Sequence, residues 1–152
     1  MNELARTLRA RGALAGLEEP FAERLAAHTT RVHLVSGEFL FREGESATSM
    51  WILTSGRISL EVDSPGGPIV IETLTEGDVL GWSSLFPPRR WHLEARAMGA
   101  AGALRIDGPA MSREMEADPV LGYALTKRLL FHVHERLMRA RLVGLDMYGR
   151  RE

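Results

Sequence analysis

The apolar positions of this chain follow two periods, and the change between them divides it. Up to about residue 31 the spacing is helical. Asn2 stands as an N-cap before a helix running to about Arg11, Gly12 and Gly16 interrupt, and Glu18-Glu19-Pro20 opens a second helix with Phe21, Leu25 and Ala26 on its apolar side. From Val32 the period is two. Strands are predicted over Arg31–Val35, Phe39–Phe41, Met50–Thr54, Ile58–Val62, Ile69–Leu74, Leu93–Ala97 and Ala103–Ile106. Turns built on Gly37, Gly44, Gly56, Gly66-Gly67 and Gly77 separate them. Ile58, Leu60 and Val62 alternate with Ser59, Glu61 and Asp63, which predicts one wet face. His92 and Glu94 are likewise expected on a solvated face. Short strands with glycine turns between them predict a mainly β fold, a jelly roll or barrel with flanking helices.

The stretch Gly77–Ala97 breaks this rhythm. After a short apolar run comes a one-turn helix candidate, Trp82 to Phe86, stopped by Pro87-Pro88 and followed by Arg89-Arg90. A helix start offers unpaired backbone N–H groups to an anion, and arginine suits phosphate or carboxylate. The candidate ligand-binding residues are therefore Gly81, Trp82, Ser83, Ser84, Leu85, Arg89, Arg90, Trp91 and His92.

Helical spacing returns at Asp107-Gly108-Pro109, where Met111 and Met115 share an apolar face. Asp118-Pro119 opens a last helix that can run unbroken to about Gly144. On it Tyr123, Thr126, Leu130, Val133, Leu137, Ala140, Gly144 and Met147 are spaced as a heptad seam, while Leu121, Leu125 and Leu129 form a second stripe. One stripe suffices for the chain's own core. The second predicts a homodimer through the C-terminal helix, with Tyr123, Thr126, Leu130, Val133, Leu137 and Ala140 at the interface.

Composition narrows the function classes. The 152 residues carry a net charge of −1 and no cysteine, which excludes disulfides and thiolate metal sites and fits a cytoplasmic location. One domain is expected: residues 1–31 as N-terminal helices, 32–106 as the roll with 77–97 as its special segment, and 107–147 as C-terminal helices. From Pro119 onward seven basic residues face three acidic ones, which reads as a solvated, basic helix face. No apolar run is long enough to span a membrane. No metal site is expected, because His132 and His134 lie two apart on a helix and point away from each other. Ser83 and Ser84 sit in no nucleophile turn and no phosphate-cradling glycine loop is present, so an enzyme is not expected and no catalytic residue is assigned.

Several motifs occur in order with matching gaps: Leu14-Ala15-Gly16-Leu17, Leu25-Ala26, GEFLFREGE (Gly37–Glu45), MWILTSGRISL (Met50–Leu60), TEGDVLG (Thr75–Gly81) and Asp118-Pro119. Over about residues 12–145 the chain resembles the cyclic nucleotide-binding domain of catabolite-activator-type regulators, kinase regulatory subunits and gated channels. The resemblance implies a double-stranded β-helix (jelly roll) with a long C-terminal helix. It also implies a phosphate-binding cassette, here Gly81–Ala97, and a final helix that moves or dimerises when ligand arrives. A regulatory, small-molecule-binding module is the expected function. The ligand is a cyclic nucleotide or another small anionic or aromatic molecule. The helix-turn-helix domain of transcription-factor relatives has no counterpart in the few residues after Leu145, so direct sequence-specific DNA binding is not expected.

The cassette departs from the family pattern. Trp82 stands where the family has a glutamate that accepts from the ribose, and an indole cannot accept. The family's phosphate-pairing arginine and its following serine or threonine fall on Trp91 and His92, with Arg90 one residue early and Arg89 two. A slip of one residue turns a side chain to the other face. Two readings stay open. Either Trp82 and Trp91 fill the nucleotide's place, leaving an interaction or dimerisation module without ligand. Or the pocket persists with altered chemistry, Ser83, Ser84 and Arg89 or Arg90 meeting an anion while the tryptophans stack on a ring.

Overall fold

The computed structural model describes residues 2–149, with side chains through Leu142. Gly144 and Met147 of the predicted seam, and the charges of Arg150, Arg151 and Glu152, lie outside the described side chains or residues. Two short helices, α1 (Glu3–Ala10) and α2 (Glu19–Ala26), flank a 3-10 turn at Gly12–Leu14. The Asn2 side chain accepts from the Ala5 N–H at 2.7 Å, so the predicted N-cap is formed. The strands are β1 (Thr29–Leu34), β2 (Phe39–Phe41), β3 (Ser49–Ser55), β4 (Ile58–Val62), β5 (Ile69–Leu74), β6 (Val79–Leu80), β7 (Glu94–Ala97) and β8 (Ala101–Asp107). Two helices close the chain, α3 (Gly108–Ala117) and α4 (Pro119–Gly149).

The strands form two antiparallel four-stranded sheets, in the orders β1-β8-β3-β6 and β2-β7-β4-β5. The chain crosses between them repeatedly, as expected of a jelly roll. The first sheet is covered on both sides, which explains the unbroken apolar run Met50–Leu53. Met50, Ile52, Leu104 and Ile106 face a cluster completed by α1, α2, α3 and the Leu121, Leu125, Leu129 stripe of α4. Trp51, Leu53 and Ala103 face the second sheet's Ile58, Leu60 and Ala95 inside the roll. So one apolar stripe of α4 packs on the chain's own core.

One predicted surface is not wet. Ser59 and Glu61 on β4 are buried, Glu61 to 2% exposure. Arg96 donates to both Glu61 carboxylate oxygens, at 3.0 and 2.8 Å, and the Ser59 hydroxyl donates to the same carboxylate. Glu94 is also buried and takes a 2.9 Å bond from Arg42, whereas His92 precedes β7 and is exposed. Both guanidinium groups lie over the Phe39 ring, 4.4 Å away for Arg42 and 5.3 Å for Arg96. Period-two polarity shows which side chains share a face. It does not show that arginines from neighbouring strands will cover that face.

A charged clamp ties α2 to the α3–α4 junction. Arg24 donates to Glu114 at 3.1 and 2.5 Å and to Asp118 at 2.6 Å, and His28 lies 3.4 Å from Glu114. Hydrogen bonds from Arg24 first, then from His28, hold the Glu114 carboxyl below the ordinary range. Arg24, then the Leu121 backbone N–H, does the same for Asp118. A carboxylate with a depressed folded pKa contributes stability above its unfolded pKa, and that stability is lost as pH falls through the folded value. The melting temperature is therefore expected to fall more steeply on acidification below the ordinary carboxylate range in the wild type than in Arg24→Ala. Parallel pH profiles for the two proteins would remove this clamp from the acid response.

Candidate functional site

The site forms where the roll's open end meets α4. Gly81 turns the chain out of β6 with φ of 92°, and a Cβ there would stand 2.6 Å from the Ser49 carbonyl oxygen. Glycine therefore lets the cassette lie directly on β3. A single 3-10 turn follows, Trp82–Leu85. The returning limb is fixed by a short ladder with the turn after β2. Ala47 donates to the Arg89 carbonyl at 2.8 Å, Trp91 donates to Glu45 at 3.1 Å, and Gly44 donates to Trp91 at 2.9 Å.

This ladder decides which side chains point inward. Extended neighbours alternate, so Trp91 enters the roll and Arg90 leaves it. Trp91 stacks on Phe41 with ring centroids 4.0 Å apart and stands 5.8 Å from Trp51. Arg90 donates outward to the Gly44 carbonyl at 3.2 Å. Arg89 donates to the Ser84 carbonyl at 3.2 Å. Neither arginine lines the hollow.

That hollow has a volume of about 640 Å³. Its floor is the roll interior, where Phe41, Leu60 and Leu80 meet Trp91. Gly81, Trp82 and Ser83 form one wall, with His92 and Leu93 beside them. The opposite wall comes from β5 and α4: Ile71, Glu72 and Thr73, then Val133, Arg136, Leu137, Arg139 and Ala140. Trp82 and Trp91 thus both line the cavity and do not fill it. The size is ordinary for a small-molecule site.

Two of the candidate residues serve structure instead. Ser84 is fully buried, its hydroxyl donates to the Gly81 carbonyl at 2.8 Å, and a Cβ at Gly108 would come within 2.3 Å of its oxygen. Leu85 packs against the helical core. Neither lines the cavity.

The predicted seam on α4 divides. Tyr123, Thr126 and Leu130 lie on the outer surface, and Leu130 is 67% exposed. Val133, Leu137 and Ala140 line the cavity. Beyond Leu129 the buried residues of α4, among the described side chains, are polar. Arg136, 6% exposed, donates to Glu72 at 3.1 and 2.5 Å and to the Val79 carbonyl at 2.6 Å, and its guanidinium lies 4.7 Å from the Trp82 ring centroid. His132 accepts the Val79 N–H at 3.1 Å, which requires an unprotonated Nε2. Burial pushes this imidazole below the ordinary histidine range, with Asp78 pulling the other way. Arg139 reaches Asp78 at 3.4 Å. The helix is therefore bolted by leucines up to residue 129 and by a polar latch from 132 to 139.

On the far side of α4 lies a second groove, of about 980 Å³, between the 3-10 turn at Gly12, the Glu76–Asp78 corner and the face carrying Lys127, Phe131 and Met138. Among the described residues no cluster of histidine and carboxylate side chains could hold a metal ion. No helix there is long and apolar enough to cross a membrane.

Arg136, Arg139 and Glu72 were not among the sequence-derived candidates. They lie outside the cassette, and only the packing of α4 across the roll brings them to it.

The family model of the cyclic nucleotide-binding domain matches residues 31–118. A solved protein of Geobacter metallireducens, assigned to cyclic nucleotide binding, superposes with a TM-score of 0.78 at 26% identity, covering 90% of this chain and 99% of that one. The sensor domain of a transcriptional regulator from Pseudomonas aeruginosa gives a TM-score of 0.69 at 22% identity, covering 87% of this chain and 89% of that one. An uncharacterised NTE-family protein of Mycobacterium tuberculosis is 30% identical over 116 residues, which is 76% of this chain and 19% of the relative. The chain thus spans about a fifth of that relative's length.

Proposed function

The chain belongs to the cyclic nucleotide-binding domain family, and from that premise we propose that it is a regulatory ligand-binding module whose ligand is a small, largely apolar molecule other than cAMP or cGMP. One observation carries this reading: a cavity of about 640 Å³ persists between cassette and α4 while Arg89 and Arg90 are committed to backbone carbonyls outside it. A cyclic phosphate would be desolvated against Trp91, Phe41 and Leu60 with no cassette arginine to meet it. An aromatic or aliphatic body would displace water from those same walls at a gain of about 25 cal/mol per Å².

The mechanism is a population shift. A ligand touching Trp82 on one side and Val133 and Leu137 on the other interacts with α4 only while α4 lies across the cavity. Occupancy then biases the segment held by the polar latch and leaves the leucine-anchored part in place. The outer stripe Tyr123, Thr126 and Leu130 is the proposed dimer contact, with two copies pairing through α4 and the ends of their seams closing over the cavities.

Differential scanning fluorimetry tests the ligand reading. Aromatic acids and alcohols are expected to raise the melting temperature with concentration, and cAMP and cGMP to leave it unchanged. Ser83→Trp, which fills the cavity mouth, is expected to abolish the response. A rise with cAMP alone would overturn the proposal. Light scattering tests the contact: the wild type is expected to be dimeric and Leu130→Arg monomeric, and a monomeric wild type at high micromolar concentration would remove the interface.

A further inference from the structure

Resting on that reading of the pocket, we propose that its ligand is an aromatic monoanion, a carboxylate or sulfonate, whose charge is read by Arg139 on α4 and not by the cassette. Among the described residues one acidic and two basic side chains line the cavity: Glu72, Arg136 and Arg139. Glu72 and Arg136 face each other through two hydrogen bonds, and a third Arg136 donor is spent on the Val79 carbonyl. That pair presents no uncompensated charge. Arg139 differs. Its side chain is 55% exposed and borders the outer groove as well as this cavity, and among the described residues its one ion pair is a 3.4 Å approach to Asp78 on the groove side. A guanidinium carries five N–H donors in a planar fork, so most of this one is available to a carboxylate or sulfonate.

The sign of the charge follows. A cationic ligand would find the charge of Glu72 already neutralised by Arg136, and Asp78 does not line the cavity. A neutral ligand would leave Arg139 unused. The cassette wall opposite carries Ser83 and His92, whose side chains make no hydrogen bond or ion pair within the described residues. They suit a neutral polar group at the ligand's other end. Between the two ends lie Trp82, Trp91 and Phe41, which select a flat apolar body. The site is thus turned round relative to a phosphate-binding cassette: the anion meets α4 and the ring meets the roll. Because Arg139 would exchange Asp78 for the ligand, the anion acts on the latch itself.

The test uses three naphthyl probes of different charge followed by tryptophan fluorescence: 2-naphthoate, its isostere 2-naphthamide, and 2-naphthylmethylammonium. Wild-type protein is expected to bind the carboxylate at least about tenfold more tightly than the amide or the cation. Arg139→Gln is expected to bring the carboxylate down to the level of the amide and to leave the amide's affinity unchanged. Equal affinity for carboxylate and amide, or an Arg139→Gln protein with the discrimination intact, would overturn the charge assignment and leave the apolar pocket standing. Failure of all three probes at millimolar concentration would overturn the pocket reading along with it.

Discussion

Trp91→Ala is expected to destabilise the protein by about 3–5 kcal/mol, the usual range for truncating a large buried aromatic. With a shift of about 2–4 °C per kcal/mol at this size, the melting temperature should fall by roughly 10 °C. Trp91 is one of three mutually contacting rings, stacked on Phe41 and tilted toward Trp51. Its backbone also joins the returning limb of the cassette to the turn after β2. Removing the ring opens the cavity floor into the roll, so the loss combines forfeited burial with a void. Trp91→Phe keeps a ring against Phe41 and should recover more than half of the loss. If thermal unfolding instead finds Trp91→Ala within 1 kcal/mol of wild type, the ring is not part of the core, and the cassette is not anchored as described. The same packing explains why restoring the family arginine here is not a simple repair. Trp91→Arg would put a charge among the apolar rings and side chains of Phe41, Trp51 and Leu60.

Arg136→Ala carries the second large effect, about 2–3 kcal/mol. Breaking one side of a buried ion pair costs about 3–5 kcal/mol. Glu72 keeps 30% of its side-chain surface, so water compensates part of that. The variant also strips the Val79 carbonyl of its donor and the Trp82 ring of its cation. The loss should be local. Amides of residues 132–142 are expected to exchange with solvent markedly faster, while those of 121–129, held by Leu121, Leu125 and Leu129, keep their protection. Uniform acceleration along α4 would contradict the division between leucine bolts and polar latch. A double-mutant cycle with Glu72→Gln should return a coupling of about 1–2 kcal/mol.

The architecture was legible because its signals repeat. Alternating strands, glycines at the reversals and two aspartate-capped helix starts each recur along the chain and point to the same roll. The inward turn of Trp91 was legible too, since Arg90 is one residue out of step and a period of two sends it outward. The burial of Glu61 and Glu94 was not, because the arginines that cover them come from other strands. The site's helix wall was not either. Val133, Leu137 and Ala140 satisfy a heptad as well as they line a cavity, and a one-dimensional seam cannot tell a partner helix from a hollow. Arg136 looks like any solvated arginine on a long helix until the Glu72 carboxylate of β5 is found beneath it.

The central claim is that one cavity joins the cassette to α4. It is tested most directly by a ¹H–¹⁵N correlation titration with 2-naphthoate. The account predicts that the indole signals of Trp82 and Trp91 and the amides of Val133 through Ala140 move together along one binding curve, while α1 and α2 stay still. Movement confined to Lys127, Phe131 and Met138 would place the ligand in the outer groove and contradict it, as would saturation of the indole signals with no change on α4.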